Sequence, residues 1–310
     1  MDKNNEKGVY NIACVIVTYN RKELLKKCLD ALDAQVLKPA VVFITDNAST
    51  DGTLESVKEW GYYKCIRNGI HYKYILNFQN DGGAGGFYLG IKTAIEDNNY
   101  DGIWVMDDDG IPDRYCLREL CNYLNSWDFI SPLVISTDNS NILSFYDITK
   151  NEFEKKAVNG VVENASNPFN GILLSRKLIE IVGYPMKEMF IWGDETNYRL
   201  RTENAGFTPI TIVSAKHFHP KDRQKKIKAP FVNRVIAVSD VDWKQYYFIR
   251  NMTYNYLYVD KTSSIKRIPT LLYIILSYLY YFTINGNKKM RHVVIKAFRA
   301  GILKNFARFV

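Results

Sequence analysis

The 310-residue chain carries 41 Lys and Arg against 33 Asp and Glu, a net charge of +8. With 47% apolar and 24% charged residues it has the composition of a globular protein, which excludes a disordered or collagen-like chain. Its five cysteines include no C-x-x-C pair, which argues against a disulfide framework and a thiolate zinc site. Residues 1–7 are polar and do not resemble a signal peptide, so we expect a reducing, cytosolic setting.

The first hundred residues alternate between strand-like and helix-like segments. Continuous apolar runs, typical of buried parallel strands, precede segments with apolar residues at helical spacing. The predicted strands are residues 11–17, 41–44, 72–76 and 102–106. The predicted helices are 21–34, 53–60 and a third that follows a glycine-rich turn at 82–86 and continues to about residue 96. Later, 129–175 is less regular and predicts short strands and loops, 178–182 and 195–205 are helices, 209–213 is a strand, and helix continues from residue 243. This order predicts an α/β fold with a mostly parallel sheet flanked by helices.

Two predicted strands lead into candidate ligand-binding turns, since ligands of open α/β sheets bind at the carboxyl ends of strands. Asp46 ends the second strand, and the alternative interpretation is a turn whose Asp and Ser cap the next helix. Residues 80–86 follow the third strand, and their four glycines would let backbone N–H groups approach a phosphate. A plain flexible turn explains these glycines equally well.

Asp107, Asp108 and Asp109 directly follow the fourth predicted strand. Three adjacent carboxylates repel one another unless a cation compensates them. Oxygen ligands suit Mg²⁺ or Mn²⁺, and such an ion can bridge a diphosphate. A solvated acidic turn is the alternative, but the buried strand before the acids favours a metal site.

Two later segments carry further candidates. Trp192, Gly193, Asp194 and Glu195 precede a predicted helix, where the acids either suit the helix dipole or provide a general base. Residues 217 and 219 are histidines after the last predicted strand, and we expect at most one of them to join a given site.

Taken together, these motifs resemble family 2 glycosyltransferases of the GT-A fold. The resemblance covers about residues 12–220: residues 15–21, the stretch 46–53, the Asp triplet, and the Gly-Asp-Glu helix start that ends in Leu200-Arg201. Residues 80–87, 190–195 and 242–246 are similar to the galactofuranosyltransferase branch, with the rhamnosyltransferase branch as the close competitor.

The resemblance implies roles for individual residues. The nucleotide-sugar would be bound by Thr18, Tyr19, Arg21, Asp46, Asn80, Gly85, Gly86, Asp107 and Asp108, with Asp46 on the uracil or ribose. The Mn²⁺ or Mg²⁺ ligands would be Asp107, Asp109 and His219, with His217 as second choice. Trp192 and Gly193 would lie on the acceptor side. The family's base is the second acid of an acid–Asp pair, which falls on Glu195; the family usually has Asp there, so Asp194 is a rival.

The implied activity is an inverting, metal-dependent transfer of a sugar, galactofuranose from UDP-galactofuranose being the first choice, to a hydroxyl of a lipid-linked or polysaccharide acceptor. Rhamnosyl or other hexosyl transfer is the alternative. A non-catalytic nucleotide-sugar or polyanion-binding protein would be expected to lack the base or the triplet, and neither is missing. No nucleic-acid-binding motif accompanies the basic residues, so we expect no nucleic acid partner.

The C-terminal region concentrates the positive charge, with ten Lys and Arg and no acid from Lys261 onward. We predict a catalytic domain over 1–240 and a helical, membrane-associating segment over 241–310. Apolar positions including Met290, Val294, Ala297 and Gly301 recur at helical spacing, which predicts a basic amphipathic helix in the headgroup plane of an anionic membrane. A helix packed on the protein body is the alternative. The uncharged stretch 268–287 is open between a span, an interfacial segment and a core helix. The expected location is the inner face of the cytoplasmic membrane.

Overall fold

The computed structural model describes residues 10–221, 225–230, 235–262 and 264–309, without the side chains of 264–266. Residues 1–7, where no signal peptide is predicted, lie outside the described residues. The chain forms two compact units, each described by itself here. The first comprises Met1–Asp81, Gly86–Tyr184 and Ala205–Lys221, and the second comprises Gly82–Gly85, Pro185–Asn204 and Asp222–Val310. The domain boundary at residue 240 stays a prediction.

A mixed sheet, ten-stranded in the described residues, forms the centre of the first unit. Its strands are β1 (Ile12–Thr18), β2 (Val41–Asp46), β3 (Cys65–Arg67), β4 (Ile70–Leu76), β5 (Gly102–Asp107), β6 (Ile111–Pro112), β7 (Phe129–Ser136), β8 (Val161–Glu163), β9 (Ile172–Ser175) and β10 (Ile210–His219). Its helices are α1 (Lys22–Asp33), α2 (Thr53–Glu59), α3 (Gly82–Asp97, whose first turn belongs to the second unit), α4 (Cys116–Cys121), α5 (Lys150–Glu154) and α6 (Arg176–Val182). The strand order is β3-β4-β2-β1-β5-β9-β7-β10-β6, with β8 also on β10.

The direction of the strands brings six carboxyl ends to one edge of the sheet. Strands β1, β2, β4 and β5 are parallel. Strand β9 is antiparallel to both β5 and β7, so β7 and its parallel neighbour β10 run in the same direction as β5. Strands β1, β2 and β7 are buried along their whole length, as strands covered on both faces are. The predicted α/β fold is confirmed, and the same edge carries Thr18, Asp46, Leu76, Asp107, Ser136 and His219.

Sequence patterns missed part of this sheet. Strand β7 lies in the region predicted as short strands and loops, and its bounds could not be predicted because Ser131 and Pro132 interrupt its apolar run. Strand β10 is twice as long as predicted, since its second half carries polar residues such as Ser214 and Lys216. The pairing of β10 with β7 also shifts register between Ile212 and Lys216 of β10, which further obscures the alternation of β10.

The glycine-rich turn predicted at residues 82–86 is wrong, because these glycines form the first turn of α3. Close packing within the first unit explains two glycines of this helix. A Cβ on Gly86 would stand 2.4 Å from Val17 Cγ1, and one on Gly90 would stand 2.4 Å from Val15 Cγ1. The absence of side chains at these positions lets α3 lie directly on β1.

The second unit is mainly helical. Its elements are a 3₁₀ turn (Lys187–Met189), α7 (Asp194–Asn204), the hairpin strands β11 (Lys225–Lys228) and β12 (Val235–Val238), α8 (Asp242–Tyr254), a π-helical turn (Asn255–Val259), α9 (Ser264–Ile284) and α10 (Lys288–Ile302). Helix α10 packs on α8 and α9 through its buried apolar face, which includes Met290, Val294, Ala297 and Gly301. The prediction that this face lies in a membrane is therefore wrong, and the alternative of a helix packed on the protein is correct.

Helix α9 presents a separate apolar stripe. Its segment Arg267–Ile284 is long and apolar enough to cross a membrane by length and composition, and 33% of that segment is buried in the protein. The residues of α9 that pack inside include Leu271, Ile275 and Tyr278. Residues four apart form one exposed row along the helix: Ile268, Leu272, Leu276, Tyr280 and Ile284, with exposures of 44% to 64%.

Candidate functional site

A cluster of charged and polar groups lies where β1 and β5 end. Thr18 Oγ1 donates a hydrogen bond of 2.7 Å to Asp108 Oδ2. Arg21, which precedes α1, places Nη1 3.0 Å from Asp109 Oδ2 and 3.5 Å from Asp108 Oδ1. Parallel pairing of β1 with β5 causes this convergence, because it places Val17 opposite Asp107. The structure thus brings together four of the residues that sequence motifs single out.

The end of β10 brings a histidine to the same acids. His219 Nε2 lies 3.1 Å from Asp109 Oδ1, and its Nδ1 lies 2.6 Å from the carbonyl oxygen of Pro220. An Nδ1–H bonded to a carbonyl is the arrangement that leaves Nε2 available to a metal. His217 differs: it is fully buried, neither ring nitrogen has a hydrogen-bond partner in the described structure, and burial lowers its pKa to about 3. His219 is therefore the better placed of the two.

Burial and local charge set the acidities of the two acids in opposite directions. Burial raises the pKa of Asp108 to about 6, although Thr18 and Arg21 act against it. Burial also acts to raise the pKa of Asp109, but the hydrogen bond to His219 and the charges of His219 and Arg21 overcome it and lower that pKa. The site therefore holds one carboxylate that is costly to ionise beside one that is ionised readily.

These side chains form a donor set that fits a divalent cation. Asp107 and Asp109 supply hard oxygen atoms, and His219 supplies a ring nitrogen whose other nitrogen is already bonded. Within the described residues no three His, Cys, Asp or Glu side chains are already grouped as ligands. Arg21 accounts for part of this, because its guanidinium takes up Asp109 Oδ2.

Asp46 is buried at the end of β2 and both of its oxygens are engaged. Ser49 N donates to Oδ1 at 2.8 Å, and Tyr74 OH, from the neighbouring strand β4, donates to Oδ2. The turns after β1 and β2 are also joined, because Asn20 Oδ1 accepts a 2.7 Å hydrogen bond from Thr50 N. Tyr19, beside Asn20, is 41% exposed. The turn that is predicted to bind the nucleobase is thus held by hydrogen bonds from neighbouring segments.

The remaining nucleotide-binding candidates lie at the start of α3. Asn80 is half-buried and precedes Asp81, the residue before the helix. Gly86 lies against Val17 and against Asn47, whose Nδ2 would stand 2.8 Å from an added Cβ. Gly85 is buried in the second unit. Packing alone accounts for Gly86, so its role in nucleotide binding stays a prediction.

The second unit holds the candidate base and the acceptor-side residues. Asp194 begins α7 and is buried, whereas Glu195 is half-buried at the second helical position. Trp192 and Gly193 precede them with φ angles of +57° and +88°. Trp192 packs edge-on to Phe248, with ring centroids 6.2 Å apart. Both acids therefore lie at the start of α7, directly after two residues with left-handed backbone conformations.

Two contacts and one exposed side chain near the predicted residues could not be derived from motifs. Tyr74 bonds Asp46, Asn170 Nδ2 lies 3.4 Å from Asp107 Oδ2, and Phe78, after β4, is fully exposed. Tyr74 falls on a predicted strand, and its inward position follows from the alternation of that strand. Asn170 carries no sequence signal, because it comes from a loop before β9 that lies outside every motif.

Comparison with known proteins gives the family. The family model described as glycosyl transferase family 2 matches residues 13–141. A galactofuranosyltransferase of Mycobacterium tuberculosis is 30% identical over 221 residues, covering 68% of this chain and 70% of that protein. The chain belongs to glycosyltransferase family 2. The resemblance inferred from its motifs is confirmed.

Two further relatives bear on branch and fold. A dTDP-rhamnosyl transferase of Shigella flexneri is 27% identical to this glycosyltransferase over 251 residues, covering 78% of each chain. A mannosyltransferase of Pyrobaculum calidifontis, solved in complex with GDP-Man and Mn²⁺, shares its fold with a TM-score of 0.54 at 17% identity, covering 95% of this chain and 75% of that one. The GT-A fold of this glycosyltransferase is thereby confirmed.

Asp108 should make the stability of the glycosyltransferase depend on pH. In the folded protein the pKa of Asp108 is about 6, above the 3.8 of an ordinary aspartate carboxyl. Protonation of Asp108 therefore stabilises the folded state at low pH, and this stabilisation is lost as the pH rises through 6. Between about pH 4.5 and about pH 7.5 the loss amounts to about 2 kcal/mol. The free energy of unfolding can be measured with urea in the presence of EDTA. The difference between wild type and Asp108→Asn should fall by this amount as the pH rises over this range. Asp138→Asn, an exposed carboxylate of the same unit, should show no such trend; a flat difference for Asp108→Asn would contradict the effect of burial.

Proposed function

We propose that this glycosyltransferase moves galactofuranose from UDP-galactofuranose, with inversion and with a divalent cation, to a hydroxyl of a lipid-linked or polysaccharide acceptor. The observation that carries the chemistry is the convergence of Arg21, Asp108, Asp109 and His219 at the carboxyl edge of the sheet. The 30% identity to a galactofuranosyltransferase supports the donor sugar. The 27% identity to a rhamnosyl transferase keeps rhamnosyl transfer as the second candidate.

On the donor side, the residues of the first unit would bind the nucleotide and its diphosphate. Asp46, held by Tyr74 and Ser49, offers its remaining lone pairs to a uracil or ribose. Arg21 is half exposed, so a diphosphate could reach its guanidinium and replace Asp109 as its partner. Asp107, Asp109 and His219 would hold Mn²⁺ or Mg²⁺, which when bound supplies positive charge to offset the charge that develops on the departing diphosphate.

On the acceptor side, one carboxylate of α7 would take the proton of the attacking hydroxyl. Glu195 is the first choice because it occupies the second position of the acid pair and is partly exposed to solvent. Asp194 is the rival, although its burial leaves less room for an acceptor.

The exposed stripe of α9 suggests how a lipid-linked acceptor would be reached. A basic chain attracts anionic lipid, and an apolar row lying in the headgroup region adds hydrophobic binding. Since the apolar face of α10 is buried on α8, we assign membrane contact to the α9 row instead. The protein would then be peripheral on the inner face of the cytoplasmic membrane.

A donor screen tests the proposed reaction. Purified protein with Mn²⁺ should transfer or hydrolyse UDP-galactofuranose faster than dTDP-rhamnose or UDP-glucose, and EDTA should stop the reaction. Asp109→Ala should lose metal-dependent donor binding by calorimetry, because it removes the oxygens facing Arg21 and His219. Preference for dTDP-rhamnose would select the second candidate, and turnover unaffected by EDTA would remove the metal from the proposal.

The base can be identified with two isosteric variants. Glu195→Gln should lower kcat by about 10²–10⁴-fold, because it removes the proton acceptor. Its donor affinity should stay within about threefold of wild type, since the donor groups belong to other residues. Asp194→Asn should retain much more activity. The reverse pattern would assign the base to Asp194.

Membrane contact through α9 can be tested with vesicles of anionic phospholipid. In a co-sedimentation assay, the double variant Leu272→Gln/Leu276→Gln should bind the vesicles at least about tenfold more weakly than wild type. The reason is that each leucine buried in lipid contributes roughly 1 kcal/mol or more to binding. Ile66→Gln/Val158→Gln, two exposed apolar residues of the first unit, serves as the control. Equal sedimentation of wild type and the α9 variant would contradict the assignment.

A further inference from the structure

The loop at residues 188–193, which leads into α7, has a strained backbone. Phe190 and Trp192 have φ angles of +66° and +57°, in the left-handed region that bulky residues avoid. Gly193 follows at +88°, and a Cβ there would stand 3.0 Å from Asn251 Cβ. Such conformations are energetically unfavourable and persist only where surrounding groups hold them.

Side chains of α8 and the π-helical turn supply that support through the loop carbonyls. Arg250 Nη2 donates to the carbonyls of residues 188 and 189, at 3.0 and 2.9 Å. Asn251 Nδ2 lies 2.9, 3.0 and 2.6 Å from the carbonyls of residues 189, 191 and 192. Asn255 Nδ2 donates to the Gly193 carbonyl at 2.8 Å. The carbonyl of Phe190 accepts from Ala84 N at 3.1 Å. Every carbonyl from residue 188 to residue 193 is therefore bonded.

Guanidinium groups fix which way the two amides point. Arg250 Nε donates to Asn251 Oδ1 at 2.9 Å, which directs Asn251 Nδ2 at the loop. Arg201 Nε donates to Asn197 Oδ1 at 2.9 Å, and Asn197 Nδ2 donates to Asn255 Oδ1 at 2.9 Å. This second series of hydrogen bonds begins on α7 and, through Asn255, ends on the carbonyl of Gly193 in the 188–193 loop. The amides are thus held in the orientation that donates to the carbonyls.

The network is buried and does not serve as an ion pair. Arg250, Asn251 and Asn255 are at most 3% exposed. The Arg250 guanidinium lies 4.7 Å from the centre of the Tyr247 ring and 5.0 Å from that of Phe306. Its burial lowers its pKa to about 10, so it stays charged at neutral pH. Buried charges usually face a carboxylate, whereas this guanidinium donates to backbone carbonyls and to an amide oxygen.

We propose that Asn251 and Asn255, oriented by Arg250 and Asn197, are positioning residues that fix the direction in which the carboxylates of Asp194 and Glu195 leave the start of α7. This rests on the proposed function, in which one of these carboxylates is the base. The reason is geometric: three consecutive carbonyls before the helix, those of 191, 192 and 193, are bonded by the two amides. Losing one amide frees the backbone that aims the carboxylate, without touching the carboxylate itself.

The test uses Asn251→Ala and Asn255→Ala in the full chain, with the best donor for the wild type. Turnover is counted per nucleotide-binding site, measured by calorimetry with UDP and Mn²⁺. Each variant should lower kcat per site by at least about tenfold and up to about 10²-fold, with donor KM within about threefold. A merely structural role would reduce the number of sites and leave kcat per site unchanged.

Two controls are built into the chain. Thr253→Val removes a buried hydroxyl without a hydrogen-bond partner in the described structure, on the same helix between the two asparagines, and should leave kcat per site unchanged. Val294→Ala removes buried methyl groups from α10 and lowers stability without touching the loop. It should lose sites on warming and keep its kcat per site. If it loses kcat per site as strongly as Asn255→Ala, the positioning role is overturned.

Hydrogen exchange of the peptide covering residues 187–197 separates this proposal from the proposed function. Asn251→Ala should exchange at least about tenfold faster there than wild type, and Thr253→Val should match wild type. Unchanged exchange overturns the proposal whatever the donor screen gives. Faster exchange with an unchanged kcat per site overturns positioning and leaves the proposed function intact. Faster exchange in a protein that turns over no donor supports the anchoring and refutes the proposed function.

Discussion

Compensation of the carboxylates after β5 is the constraint on which the first unit depends. Asp108 is 3% exposed and Asp109 is also largely buried, so both lose much of their hydration. The first unit answers this with groups from two other strand ends: Thr18 and Arg21 follow β1, and His219 ends β10. The common direction of β1, β5 and β10 delivers these side chains to one edge. The topology of the sheet therefore favours acids in this largely buried position.

The same groups hold the oxygens of Asp109 that a divalent cation would use. Arg21 and His219 each take one oxygen of Asp109, so positive charge already stands where a divalent cation would act. A cation that used both Asp109 oxygens would have to displace Arg21, whose natural new partner is a diphosphate. Cation and nucleotide binding would then favour each other. The coupling follows because Arg21, His219 and the cation would compete for the two oxygens of Asp109.

The second unit solves a different problem with neutral donors. Its 188–193 loop needs hydrogen-bond donors along the backbone, and asparagine amides supply them at short range without adding charge beside the acids of α7. One guanidinium, Arg250, holds an amide in register. Ion pairs in this place would compete for Asp194 and Glu195, whereas amides bonded to carbonyls do not.

The sequence allowed the sheet, its acid-bearing edge and the family to be predicted, because each leaves a local pattern. Apolar runs mark β1, β2 and β5, and the acids follow them directly. The bounds of β7 could not be predicted because Ser131 and Pro132 break its apolar run. The glycines at the start of α3 predict a flexible turn, whereas the structure places them in a helix in which Gly86 and Gly90 are needed for close packing. The partners Tyr74, Asn170 and Asn251 depend on contacts between distant segments, which one sequence does not encode locally.

The charge of the C-terminal region shows the same limit most clearly. Ten basic residues without an acid, at helical spacing with apolar ones, fit both a membrane helix and a core helix with a solvated face, because the period is the same. Only packing distinguishes them: Met290, Val294 and Ala297 are already buried on α8 and α9, which leaves α10 no apolar face to insert. The apolar row of α9, in contrast, is 44% to 64% exposed. A membrane-binding surface built from this region would therefore combine the charge of one helix with the apolar row of its neighbour.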